Sequence, residues 1–123
     1  MPKVNVNLNE VEDISQPMPA GIYIVRVLTG EKAVGKDSGK EYIHWEVEVV
    51  EGDSKGRHLF FNTSLSEKAL WNLKKLLTAA KVVTNKDGSF NTEDVAGKEF
   101  QAVVGQRDYE GRVTNEVTDY LEA

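Results

Sequence analysis

The 123-residue chain contains no cysteine, three prolines and two histidines. Without cysteine there is neither a disulfide framework nor a thiolate metal site, and nothing calls for an oxidising compartment. Long apolar runs are missing as well, since none approaches the roughly 18 residues of a membrane-spanning helix. The opening "MPKVNVNLNE" lacks the apolar centre of a secretory signal, so an intracellular protein without a membrane partner is expected. Positive charge is not in excess, because 15 Lys and Arg stand against 20 Asp and Glu, a net charge of −5. That total argues against a polyanion partner only if the charge is spread evenly, and it is not. Residues 55–86 hold seven bases and one acid, residues 1–54 five and ten, and residues 87–123 three and nine. The middle of the chain therefore carries a positive field within an acidic whole.

A chain of this length with 40% hydrophobic and 28% charged residues buries one core and folds as one domain. Residues 1–20 read as a lead-in ending in "QPMPAG", and residues 21–123 as the domain. Ile22 to Leu28, rich in β-branched and aromatic residues, predicts a strand, and "GEKAVGKDSGK" (30–40) a mobile polar loop. From Glu41 to Val50 the residues alternate. Ile43, Trp45, Val47 and Val49 form one face, and Tyr42, His44, Glu46 and Glu48 the other. A third strand is expected from Arg57 to Thr63, then a helix from Ser66 to Ala80. Ser64 and Glu67 stand at capping-box spacing, and Ala69, Leu70, Leu73, Leu76, Leu77 and Ala80 form its apolar stripe. "TEDVAG" suggests a single turn, and strands at Glu99–Gln106 and Arg112–Tyr120 follow, joined by "RDYEG". Five strands with the helix between the third and fourth is the order of the OB-fold, a partly open barrel. The expected class is mainly β: a five-stranded OB-fold-like barrel.

Several motifs fail on chemistry. "GEKAVGKD" has P-loop spacing, but Asp37 replaces the magnesium-binding hydroxyl and a strand follows where a helix is needed. His44, Glu46 and Glu48 share a strand face, yet positions on one face of a strand diverge and no fourth ligand is evident. Neither histidine lies near a glycine-flanked nucleophile turn, so no enzyme and no cofactor are expected.

The polar face of the second strand points elsewhere. It offers Tyr42 and His44, and alternation sends either Phe60 or Phe61 outward beside them. Phe60 is favoured, because Leu59 and Phe61 make the more apolar face. Arg26, Lys36, Lys40 and Arg57 lie at its edges, and "QRDYEGR" repeats the combination with Arg107, Tyr109 and Arg112. Exposed rings stack on bases of any identity and lysines and arginines track phosphates, which is what single-stranded DNA requires. Glu46 and Glu48 oppose this reading, because carboxylates repel phosphate. The alternative is a non-catalytic protein–protein adaptor. Trp71 lies opposite the leucine stripe with Lys74 and Lys75, where it is either exposed to a partner or covered by Val4 to Leu8.

"PMPAGIYIVRV", "SGKEYIHWEVEV", "KGRHLFFNTSLS", "ALWNLKKLLTAA", "EDVAGKEFQAVVG" and "GRVTNEVTDYL" together resemble a family of short bacteriophage OB-fold single-stranded-DNA-binding proteins. The similarity runs from about Glu10 to Leu121. It implies an OB-fold, a role in phage DNA replication or recombination in the cytoplasm of a bacterial host, contacts with phage replication or recombination proteins, and room for a homo-oligomer. The acidic, partner-recruiting tail common in such proteins is not matched. "EVTDYLEA" has only Glu116, Asp119 and Glu122 and continues directly from a strand.

Overall fold

The computed structural model describes residues 17–123, and of Tyr109 the backbone alone. Its five strands are β1 (Gly21–Val34), β2 (Glu41–Val49), β3 (His58–Ser64), β4 (Glu99–Tyr109) and β5 (Arg112–Leu121). The helix α1 (Leu70–Ala79) lies between β3 and β4, preceded by a 3-10 turn at Glu67–Ala69, and a second such turn spans Thr92–Asp94. All pairings are antiparallel and the sheet order is β3-β2-β1-β4-β5. The protein is thus mainly β, with one five-stranded sheet and one helix among the described residues.

The alternation of β2 is realised in full. Ile43, Trp45, Val47 and Val49 are buried, and Tyr42, His44, Glu46 and Glu48 lie on the other face. The Trp45 Nε1–H donates to Thr63 Oγ1 at 2.9 Å, so the one polar atom of the indole is satisfied inside the core. Phe61, Phe100 and Tyr120 form a ring cluster with centroids 5.7 to 6.3 Å apart. Through the Phe61–Tyr120 contact the edge strands β3 and β5 approach each other, but no hydrogen-bonded ladder joins them and the sheet stays open. Leu73, Leu76 and Leu77 of α1 close the core, each contributing about 1.5–3 kcal/mol by burial. Met18, within the lead-in, is also core. Its N–H donates to Asn115 Oδ1 at 2.7 Å, and its carbonyl accepts from Gln106 and Asn115 at 2.9 Å each.

Four local expectations are corrected. The segment 30–40 is not a loop throughout, because β1 continues to Val34 and pairs residue by residue with β2 as far as Val34↔Glu41. A bulge between Val27 and Thr29 and the placement of Gly30 opposite Trp45 allow this, and composition alone shows neither. Likewise "RDYEG" is mostly strand. Gln106, Arg107 and Asp108 pair with Asn115, Thr114 and Val113, and only Glu110 and Gly111 turn, both at positive φ (51° and 78°). The capping box is not formed. The Ser64 hydroxyl instead serves its near neighbour Ser66, accepting from its N–H at 3.2 Å, and α1 begins through the 3-10 turn. Leu70, assigned to the apolar stripe, is 42% exposed, because it lies at the stripe's edge where α1 starts.

Candidate nucleic-acid interface

Antiparallel partners point to the same side of a sheet, so register assembles the outer face of β1, β2 and β3. Tyr42 pairs with Ala33 and Ser64, His44 with Glu31 and Asn62, Glu46 with Thr29 and Phe60, and Glu48 with Arg26 and His58. Phe60 is 53% exposed while Phe61 packs on the core, which is the orientation that alternation favours. The His44 and Phe60 rings are stacked, with centroids 5.8 Å apart and planes 12° from parallel. His44 Nδ1 hydrogen-bonds Asn62 Oδ1 at 2.7 Å, which fixes the imidazole plane. Together they make an exposed pair of stacked rings on an open strand face.

The charges around the ring pair are mixed. His58 Nδ1 lies 2.6 Å from Glu46 Oε2 and its Nε2 3.3 Å from Glu48 Oε2, so this imidazole bridges both carboxylates. Arg26 is engaged in an ion pair, with Nη2 2.7 Å and Nε 3.1 Å from Glu99 Oε2, and is a weak phosphate ligand for that reason. Lys36 and Lys40 are exposed in the β1–β2 turn, which is closed by Gly35 N–H to Lys40 O at 2.9 Å. Among the described residues neither lysine has an ion-pair partner. A hollow of about 350 Å³ beside Lys40 is lined by Gly39, Glu41, Leu65 and Ser66.

Other candidates are dispersed. Arg57 is half-buried just before β3, and its backbone closes the β2–β3 turn. Arg107 and Arg112 are exposed near the tip of the β4–β5 hairpin, which runs past the last β1–β4 pair, Gly21↔Val104. The Tyr109 side chain lies outside the described residues. Trp71 is 67% exposed on α1, and the segment Val4 to Leu8 proposed to cover it lies outside the described residues. Lys74 is exposed beside it, while Lys75 Nζ is bound to Asp119 Oδ1 at 2.5 Å. Asp119 is thereby held below the usual carboxylate range, first by the Lys75 hydrogen bond and then by the Tyr120 N–H.

A model of the family described as protein of unknown function (DUF669) matches residues 4–122. The chain belongs to that family. No curated protein matches it.

Sequence reading of this DUF669 protein missed Asn62, His58 and Glu31. Asn62 and His58 follow from alternation once Phe60 points outward, but their pairing with His44 and Glu48 needs the register. Glu31 was hidden because the strand that carries it read as loop. The P-loop-like stretch occupies the end of β1 and a tight turn into β2, with no helix after it. His44, Glu46 and Glu48 do not converge, and among the described residues no group of three His, Asp or Glu is placed to hold a metal ion. A groove of about 600 Å³ near Ile22 and Ile24 is lined by Glu51 and Asp53 without a base, and is unsuited to phosphate. Among the described residues no helix is long and apolar enough to cross a membrane.

Proposed function

We propose that this DUF669 protein binds single-stranded DNA without reading its sequence and without catalysis, in phage DNA replication or recombination. The observation that carries the reading is the exposed, stacked His44–Phe60 pair. Flat rings on an open face receive unstacked bases of any identity, and duplex bases cannot reach them. Lys36 and Lys40, exposed in the adjoining turn, provide the cations for the backbone. Glu31, Glu46 and Glu48 oppose phosphate on the strand face itself, so the bases lie over the rings and the phosphates run toward the turn.

The proposal includes an OB-fold-like barrel. It is supported by the strand order, by the helix between β3 and β4, and by the approach of β3 to β5 through Phe61 and Tyr120. The family resemblance in the sequence supplies the phage context.

The test is fluorescence anisotropy of a labelled oligothymidine and of its duplex counterpart, in buffer containing a chelator. Tighter binding of the single strand, weakened in Phe60→Ala, is the expected result. Equal affinity for the two forms would sink the stacking model.

A further inference from the structure

The outer side of α1 carries a feature that the strand face does not use. Trp71 is 67% exposed and stands as a ridge between two grooves. One, of about 500 Å³, is walled by Leu70, Leu73, Leu77, Val82 and Phe90. The other, of about 450 Å³, runs between Trp71, Ala79, Tyr120 and Leu121, with Glu122, opposite in charge to Lys74, at its wall. Lys74 lines both. Leu70 and Val83 add exposed apolar surface at 42% and 91%. A contiguous apolar patch of this kind on a charged chain marks an interaction site, and tryptophan is the residue type most often found at the centre of one.

Charge identifies the occupant. Lys74 is the one charged side chain lining the first groove, and Lys68, Lys81 and Lys86 are exposed and near its lining residues Leu70, Val82 and Thr84 in sequence. Among the described residues these four lysines have no ion-pair partner, whereas Lys75 is neutralised by Asp119. Their complement is an acidic segment. The grooves add that the segment carries apolar side chains, because aliphatic walls desolvate a leucine or phenylalanine better than a base edge. A second copy of this chain fits poorly, since a two-fold contact centred on Trp71 would set Lys74 and Lys81 against their equivalents. A nucleic-acid strand would use the exposed ring and the lysines but leave the aliphatic grooves unfilled.

We infer that the α1 face, with Trp71 as its anchor and Lys74 as its cation, docks an acidic segment of another protein that inserts apolar side chains on either side of the indole.

The test uses the full chain and a short labelled synthetic peptide of glutamates with Leu and Phe anchors, together with a control that replaces each glutamate by lysine. The acidic peptide should bind and shift the emission of the exposed tryptophan to the blue, and the basic control should not. Trp71→Ala and Lys74→Glu should each weaken peptide binding by about tenfold or more. Their thermal midpoints should stay unchanged, because both side chains are outside the core. Phe60→Ala should leave peptide affinity as it is. The inference is overturned if the acidic peptide does not bind, if Trp71→Ala binds it as wild type does, if oligothymidine displaces it, or if the emission shifts with protein concentration alone.

Discussion

Gly30 stands directly opposite Trp45 in the β1–β2 ladder, and the indole occupies the space that any side chain at position 30 would need. A Cβ built on Gly30 would lie 2.3 Å from Trp45 Cζ3 and 2.6 Å from Cε3. The largest core side chain thus lies flat against backbone, and β1 stays a strand through a residue that reads as a loop signal.

Gly30→Ala should therefore destabilise the fold by about 1–3 kcal/mol, the cost of overpacking a dense core. Urea denaturation at constant m-value measures it. A loss within experimental error would mean that the indole has another position available.

Thr63→Val keeps the shape but removes the acceptor for the Trp45 Nε1–H, and both residues are fully buried. An orphaned donor in that setting costs about 1–3 kcal/mol. Thr63→Ser retains the hydroxyl and should recover part of the loss in the same urea titration.

On the strand face, Phe60→Ala should lower affinity for oligothymidine by about 1–3 kcal/mol and leave the salt slope alone. Lys36→Ala and Lys40→Ala should each reduce the slope of log affinity against log salt by about 0.7. Arg26→Ala should do less, because its guanidinium is already paired with Glu99. Titration at several salt concentrations separates these effects, and ring and charge variants that behave alike would contradict a stacking site.

Two groups in the α1–β5 contact make stability depend on pH in opposite directions. Asp119 is held below its ordinary 3.8 by Lys75, so it adds stability above that value and loses it as pH falls through the lowered pKa. Both groups of that pair are partly exposed and the effect is small, yet Asp119→Asn should make the acid limb of the midpoint-versus-pH curve shallower. Burial pushes the Tyr120 phenol above its ordinary 10.0, with an opposing hydrogen bond from Asn72. Its contribution is complete below about pH 10 and disappears as pH climbs through the raised pKa. Tyr120→Phe should flatten the alkaline limb, and an unchanged limb would show that this phenol does not govern it.

Local pattern alone determined a good part of this protein. Period-two alternation is enough to place Trp45 inward and His44 outward, because successive side chains of a strand leave on opposite faces whatever surrounds them. The same rule, with the choice of Leu59 and Phe61 as the inner pair, turns Phe60 to solvent. The stripe at Leu73, Leu76 and Leu77 specifies the buried side of α1, and Trp71 falls opposite it by geometry. What needed the tertiary structure is everything set by strands meeting across a gap in sequence. The extension of β1 to Val34 depends on a ladder with β2, and the strand character of Arg107 and Asp108 on pairing with Thr114 and Val113. Side-chain partnerships are of the same kind. The His44–Phe60 stack, the His58 bridge between Glu46 and Glu48, the Arg26–Glu99 pair and the Lys75–Asp119 pair each join residues whose distance is fixed by register and packing. A sequence states which side chains can interact, but charge and ring contacts act only over a few ångströms, and the fold decides which of them come that close.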